Sequence, residues 1–303
     1  MRITNSMLVA QLLWDLTASN KRMGAIQREL SSGKRINTPS DDPTGVVRAA
    51  RLGTQLNETY QYQKTTDEAT SWLELTDVSL GEAGHILQRA RELAVRSGSS
   101  TLPKGSLLAT AKEVDQLIDE MVQVANASYG DRHIFSGQKT LTTPFVLTRT
   151  ADPTVPGGEV VGFNYQGDAG ALTREMGNGF TVSINTPGAG ALQESIQALI
   201  DLRNHLYGGD TASISGPDLT QIDTGLDHLL AERVEAGARL TRVETAKNRL
   251  DDSVVSLSQV LSKTQDADTA RTIMELKTEE YARQASLAAG ARILQPTLLD
   301  FLR

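Results

Sequence analysis

From Val9 to Leu30 the chain places Val9, Leu12, Leu16, Ser19, Met23, Ile26 and Leu30 at alternating steps of three and four. That is a heptad seam, and it demands a long helix with something laid along it. Ala236, Leu240, Val243, Lys247, Leu250, Val254, Leu257 and Leu261 form a second seam, interrupted only by Lys247. The step returns at the far end in Leu287, Ala291, Leu294, Leu298 and Phe301, where Pro296 is expected to kink the run. A lone helix of this kind is marginal in water, so each terminal seam needs a cover. The nearest candidates are the opposite terminus and neighbouring copies of the chain.

Between the seams the pattern stays helical on both flanks. A second helix starts near Pro43 or Thr44, with Ser40-Asp41-Asp42 supplying cap carboxylates, and continues to about Ser97 through Leu80, Ala83, Leu87, Ala90 and Ala94. Another spans about Leu107 to Ala127, and helical spacing resumes at Leu192 to Leu206, pauses at Gly208-Gly209-Asp210 and Gly216-Pro217 and runs from Leu219 to about Leu261. A break at Asp266-Ala267-Asp268 restarts the final helix. Between 130 and 190 the character changes: eleven of the 25 glycines fall there, around strand-like pieces at Phe145 to Leu147, Val160 to Tyr165 and Phe180 to Ile184. Asn178-Gly179 and Gly157-Gly158 are candidate tight turns. The fold class is mainly α with a small β-rich insertion, an elongated rod of long antiparallel helices drawn from both halves of the chain. The expected domains are 1–45 with 262–303 as terminal helices, 46–140 with 191–261 as a helical rod, and 141–190 as a β-rich outer region.

Signals for chemistry are sparse. The formal charge of -7 argues against nucleic acid as a partner. Residues 2 to 35 run the other way, with Arg2, Lys21, Arg22, Arg28, Lys34 and Arg35 against Asp15 and Glu29, which reads as a solvated or subunit-facing surface. No apolar run is long enough to cross a bilayer, and no secretory signal pattern opens the chain. The absence of cysteine excludes disulfides and thiolate chemistry. His85, His133, His205 and His228 stand far apart in sequence and form no close ligand pair, and no nucleotide-binding glycine motif or G-x-S-x-G elbow is complete. Asp41 and Asp42 lack the ligand spacing of a calcium loop and read as a helix cap. Asn57-Glu58-Thr59 and Asn126-Ala127-Ser128 match the glycosylation acceptor pattern but fall in expected helices. Neither catalytic residue, cofactor nor metal is therefore expected.

Specific motifs go further. Leu30-Ser31-Ser32-Gly33-Lys34-Arg35-Ile36-Asn37, continuing through Pro39-Ser40-Asp41-Asp42-Pro43, resembles the N-terminal signature of the bacterial flagellin superfamily. Within it, the start Met1-Arg2-Ile3-Thr4, the run Asp131 to Thr140 followed by Pro144-Phe145, the run Ser286 to Arg292 and the ending Leu298-Leu299-Asp300-Phe301-Leu302-Arg303 are similar to the hook–filament junction branch. The resemblance implies a structural subunit exported through the flagellar channel without a cleaved signal, and hence an extracellular flagellar location. It implies terminal helices disordered in the monomer that pair in the inner tube of the assembly. It implies as partners the first hook-associated protein, flagellin, copies of the chain itself in a ring, and a flagellar export chaperone at the C-terminal helix. The assembly interface is then expected at Leu12, Leu16, Met23, Ile26, Leu30, Leu287, Ala291, Leu294, Leu298 and Phe301. The bulk filament subunit is the alternative, since it shares the terminal signature, and an enzyme carried on the same scaffold is a more distant one.

Overall fold

The computed structural model describes residues 5–98, 102–150 and 160–294. Its elements in chain order are α1 (Asn5–Ser32), α2 (Pro43–Ser97), α3 (Lys104–Ala125), β1 (Ser128–Tyr129), β2 (Arg132–His133), β3 (Phe145–Arg149), β4 (Val160–Tyr165), β5 (Thr173–Glu175), β6 (Thr181–Ser183), α4 (Ala191–Gly208), the single turn α5 (Thr211–Ser213), α6 (Leu219–Gln265) and α7 (Thr269–Leu294). The fold is mainly α with a small β component, in which β1–β2, β3–β4 and β5–β6 are three separate antiparallel pairs. The chain divides into two compact units, a terminal one of Met1–Glu58 with Ser253–Arg303 and a central one of Thr59–Asp252.

Helix boundaries follow local chemistry. Gly33, at φ 68°, takes the left-handed conformation that ends α1. Asp42 caps α2, its Oδ1 accepting the Gly45 N–H and the Thr44 hydroxyl at 2.9 Å each, with Pro43 in the first turn. Asp41 serves the preceding turn, where Oδ2 accepts the N–H groups of Asn37 and Thr38 at 3.0 and 2.8 Å. At the other break Asp268 Oδ1 accepts the Arg271 N–H at 3.1 Å and opens α7.

The pause anticipated at Gly216-Pro217 is not a break. Ile214–Asp218 forms a π turn that leads directly into α6. The extra residue in that turn accommodates Pro217, which has no N–H to give to a regular ladder. Strands β3 and β4 occupy the anticipated stretches, paired from Phe145↔Tyr165 to Arg149↔Val160 with an irregularity between Thr148 and Arg149. β5 has no apolar pattern to announce it and is recruited by β6 across the turn at Gly179, whose φ is 74°. The turn at Gly157-Gly158 and the kink at Pro296 lie outside the described residues.

In the central unit, Leu73, Leu80 and Leu87 of α2, Val114, Ile118 and Met121 of α3, Ile196, Leu199 and Leu202 of α4, and Ile222, Leu229 and Val243 of α6 form one buried cluster with Phe135, Phe145 and Val182. The side-chain pairs Gln63–Asp251, Asp67–Lys247, Asp77–Arg233 and Arg91–Asp223 cross between α2 and α6 in opposite numerical order, so these helices run antiparallel. Exposed pairs of this kind contribute at most about 1 kcal/mol each, but they mark the register. Lys247, the one charged member of the second seam, is thereby placed: its Nζ lies 2.7 Å from Asp67. Between α3 and α4, the buried Arg203 reaches Asp115 at 3.2 Å and the Val160 carbonyl of β4, while the Tyr207 hydroxyl donates to the same carboxylate at 2.9 Å.

Candidate assembly interface

In the terminal unit α1 packs along α7. Every position of the α1 seam turns inward: Ser19 and Met23 are buried, and Val9, Leu12, Leu16, Ile26 and Leu30 are half-buried. The row of α7 that faces it is Thr272, Leu276, Glu279, Arg283, Ser286 and Gly290, again at steps of four and three. Gly290 is buried directly beneath Leu12, and a Cβ added there would overlap the Leu12 methyl group. Glu279 is clasped from α1: Arg22 Nε donates to Oε1 at 2.6 Å, and the Ser19 hydroxyl donates to Oε2 at 3.1 Å. The hydrogen bond and charge of Arg22 hold the Glu279 carboxyl below its ordinary range.

The sequence-derived interface residues thus divide. Leu12, Leu16, Met23, Ile26 and Leu30 lie together against α7, whereas Leu287 and Ala291 sit one position past the facing row and are exposed, Leu287 by 53%. The side chain of Leu294, and all of Leu298 and Phe301, lie outside the described residues. Apolar periodicity missed the facing row itself because most of its members are small or polar; the spacing was its only signal. It also missed an outer apolar face on α1, where Met7, Leu13 and Trp14 are exposed, Trp14 by 69%. On α7, Ile273, Met274 and Tyr281 are likewise exposed.

The loop between α1 and α2 is stitched to the break before α7. Arg35 N–H donates to the Gln265 carbonyl at 2.8 Å, and Ala267 N–H donates to the Gly33 carbonyl at 2.9 Å. Ile36 is buried below this stitch, close enough to Gly45 that a Cβ at Gly45 would overlap both Ile36 and the Asp42 carboxylate. The signature segment from Gly33 to Gly45 is therefore a connector whose turns and caps are dictated residue by residue.

The second motif, Asp131 to Thr140, forms a compact knot in the central unit. Gly130, at φ 60°, turns β1 into β2; Ile134 and Phe135 then enter the core fully buried. Asp168 Oδ1 accepts the N–H groups of Gln138 and Gly170 at 2.7 and 3.0 Å, which keeps its carboxyl below the usual range. Gly137 is at φ 70° with the Asp168 backbone immediately above it, leaving no space for a side chain. The Tyr165 hydroxyl donates to the Phe135 carbonyl at 3.0 Å, and burial pushes its pKa up. Asn126 accepts the Phe145 N–H at 2.9 Å and donates to the Phe145 carbonyl at 2.8 Å. Its amide is used as a strand clamp, not presented as a glycosylation acceptor.

These arrangements pack helices and close turns. The two histidine–carboxylate pairs, His205 with Asp218 and His228 with Glu194, tie α4 to the turn before α6 and to α6 itself. Among the described residues no group of three metal-ligating side chains is assembled, and no helix is long and apolar enough to cross a membrane.

Residues 3–140 match the bacterial flagellin N-terminal helical region and residues 219–302 match the bacterial flagellin C-terminal helical region. The chain belongs to the bacterial flagellin family. Its similarity to flagellar hook-associated protein 3 of Escherichia coli is 25% identity over 95% of this chain and 96% of that protein. Flagellin of Bacillus subtilis is 27% identical over the whole of both chains. A solved structure of a putative flagellar hook-associated protein from Vibrio parahaemolyticus superposes with a TM-score of 0.65 at 16% identity, covering 75% of this chain and all of that one. This flagellin-family chain is thus a structural component of the bacterial flagellum and not an enzyme.

Proposed function

We propose that this flagellin-family chain joins the flagellar hook to the filament, seated between the first hook-associated protein and flagellin, with copies of itself forming the junction. The observation that carries this reading is the two-sided terminal helix pair. The α1 seam is spent inside the chain, while Leu13 and Trp14 on α1 and Ile273, Tyr281, Leu287 and Ala291 on α7 remain uncovered. Exposed large apolar residues on both helices of the pair offer surface to be buried by association. Their cover is a neighbouring subunit, and a helical operator relating identical copies extends such contacts into a tube. Residues 1–45 and 262–303 form the assembly module, ordering as copies bury it; residues 46–140 with 191–261 form the helical body, and the β-rich residues 141–190 face outward. Before assembly an export chaperone covers the C-terminal segment, including Leu294, Leu298 and Phe301, and the chain leaves the cell through the flagellar channel.

The junction assignment over bulk filament rests on the run Asp131–Thr140, which resembles the hook–filament junction branch. The similarity to Bacillus subtilis flagellin keeps the filament reading as the alternative. Deletion of the gene separates them: a junction subunit is a minor band in sheared flagella, and its loss releases unpolymerised flagellin to the medium, whereas loss of the filament subunit removes the major band. Replacing Leu16 and Met23 by Asp should leave the central unit folded by circular dichroism and abolish filament attachment. Normal filaments in that double variant would sink the interface.

A further inference from the structure

The α1 seam defines a face and leaves the position along it open. Val9, Leu12, Leu16, Met23, Ile26 and Leu30 repeat along the helix, so apolar packing alone tolerates a slide of one heptad. The facing row of α7 adds little discrimination of that kind, since Leu276 is its one large aliphatic residue. Two of its other members are not interchangeable with their neighbours: Glu279 and Gly290.

We infer that Glu279, clasped by Ser19 and Arg22, and Gly290, seated under Leu12, fix the register in which α7 lies on α1. The clasp uses both carboxylate oxygens. Arg22 donates from Nε at 2.6 Å and from Nη2 at 3.3 Å, Ser19 donates at 3.1 Å, and the Glu279 side chain is left only 19% exposed. Ser19 is the one polar residue in the α1 seam, and it stands where the carboxylate needs a donor. A slide of one heptad in either direction carries Glu279 away from both donors, toward Leu12 and Leu16 or toward Ile26 and Leu30. There a half-buried carboxylate meets aliphatic side chains without a partner, which is the costly alternative. One of these slides also brings Arg283 to the place of Gly290, under a leucine that leaves no space for a Cβ. Charge and shape therefore select the same register. A single polar position serving this purpose is a known device of helix pairs.

The register has a consequence for assembly, because it sets where Leu287 and Ala291, one position past the facing row of α7, lie along the pair relative to Leu13, one position past Leu12 on α1. It goes beyond the junction reading and does not need it: the register is read on the purified full chain, whereas the junction is read on filaments.

The absence of cysteine makes disulfide trapping direct, and trapping accumulates even a minor paired state. Ile26→Cys with Leu276→Cys, each two heptads from the Leu12–Gly290 contact, reports the observed register; Ile26→Cys with Arg283→Cys reports a slid one. In the parent chain the first pair should close with at least about a tenfold preference in yield over the second. Glu279→Leu should make the two yields comparable, Glu279→Gln should retain part of the preference through its hydrogen bonds, and the exchanged pair R22E/E279R should restore it. The inference is overturned if Glu279→Leu still closes only the first pair, if the exchanged pair fails to restore selectivity, or if neither pair closes in the parent chain.

Discussion

At the scale of single residues, the flagellin-family motifs are positions where backbone geometry leaves one choice. Gly137 and Gly290 are confined by what lies directly above them, Gly137 by the Asp168 backbone at a left-handed φ of 70° and Gly290 by Leu12. Asn126 is confined by chemistry: its amide completes the hydrogen bonds of Phe145 as a neighbouring strand would. Asn126→Ala leaves a backbone N–H and carbonyl of the buried Phe145 without partners. It should lower stability by about 1–3 kcal/mol in chemical denaturation, and it should leave the terminal helix pair untouched. The cap at Asp42 belongs to the same class, and Asp42→Ala should speed hydrogen exchange in the first turn of α2 while sparing its middle.

Helices set the next scale, where pairs depend on a few cross-links inside apolar surfaces. The α3–α4 contact carries the buried Arg203, whose side chain is 2% exposed. Asp115→Ala removes one carboxylate partner of Arg203 and an acceptor of Tyr207 together. Two hydrogen bonds to that carboxylate are lost, and stability should fall by about 1–3 kcal/mol, measured as a drop in the denaturation midpoint. The α1–α7 pair is of a different kind, because the α7 row facing α1 is small and polar. Periodicity in the sequence locates both helices and the α1 face correctly, since burying aliphatic residues dominates there. It points to the Leu287–Ala291 stripe on α7, yet the row one position earlier is the one that meets α1. That choice depends on a glycine allowing close approach and on a carboxylate finding two donors far away in sequence, neither of which a local apolar pattern encodes. The π turn at Ile214–Asp218 was unreadable for a similar reason, because Pro217 signals interruption without saying how the ladder absorbs it.

For the molecule as a whole, the two units should answer acid differently. Asp41 and Asp42, through backbone N–H donors, and Glu279, through Arg22, are all held below their ordinary pKa in the terminal unit. A carboxyl depressed in the folded state stabilises fully above its unfolded pKa, near 4, and that contribution disappears as pH falls through the folded value. In the central unit Asp168 and Asp210 behave in the same way, but burial raises Asp218 and Glu232. Those two are unfavourable when ionised, and protonation on acidification relieves them. Between pH 7 and about pH 3 the terminal unit of the assembled chain should therefore lose protection first, seen by hydrogen exchange as faster exchange in α1 and α7 before α3 and α4. The buried hydrophobic cluster lies wholly within residues 69 to 246, so a fragment of residues 59 to 252 should unfold cooperatively on its own. The sequence by itself determined the long helices, the caps at Asp42 and Asp268 and the inward face of α1, because these follow from side-chain period and from local backbone chemistry. Only the tertiary structure decided which face of α7 is spent on α1 and which is left over for a neighbour. That choice is made by close approach at Gly290 and by the Glu279 clasp, between residues that the chain brings together from its opposite ends.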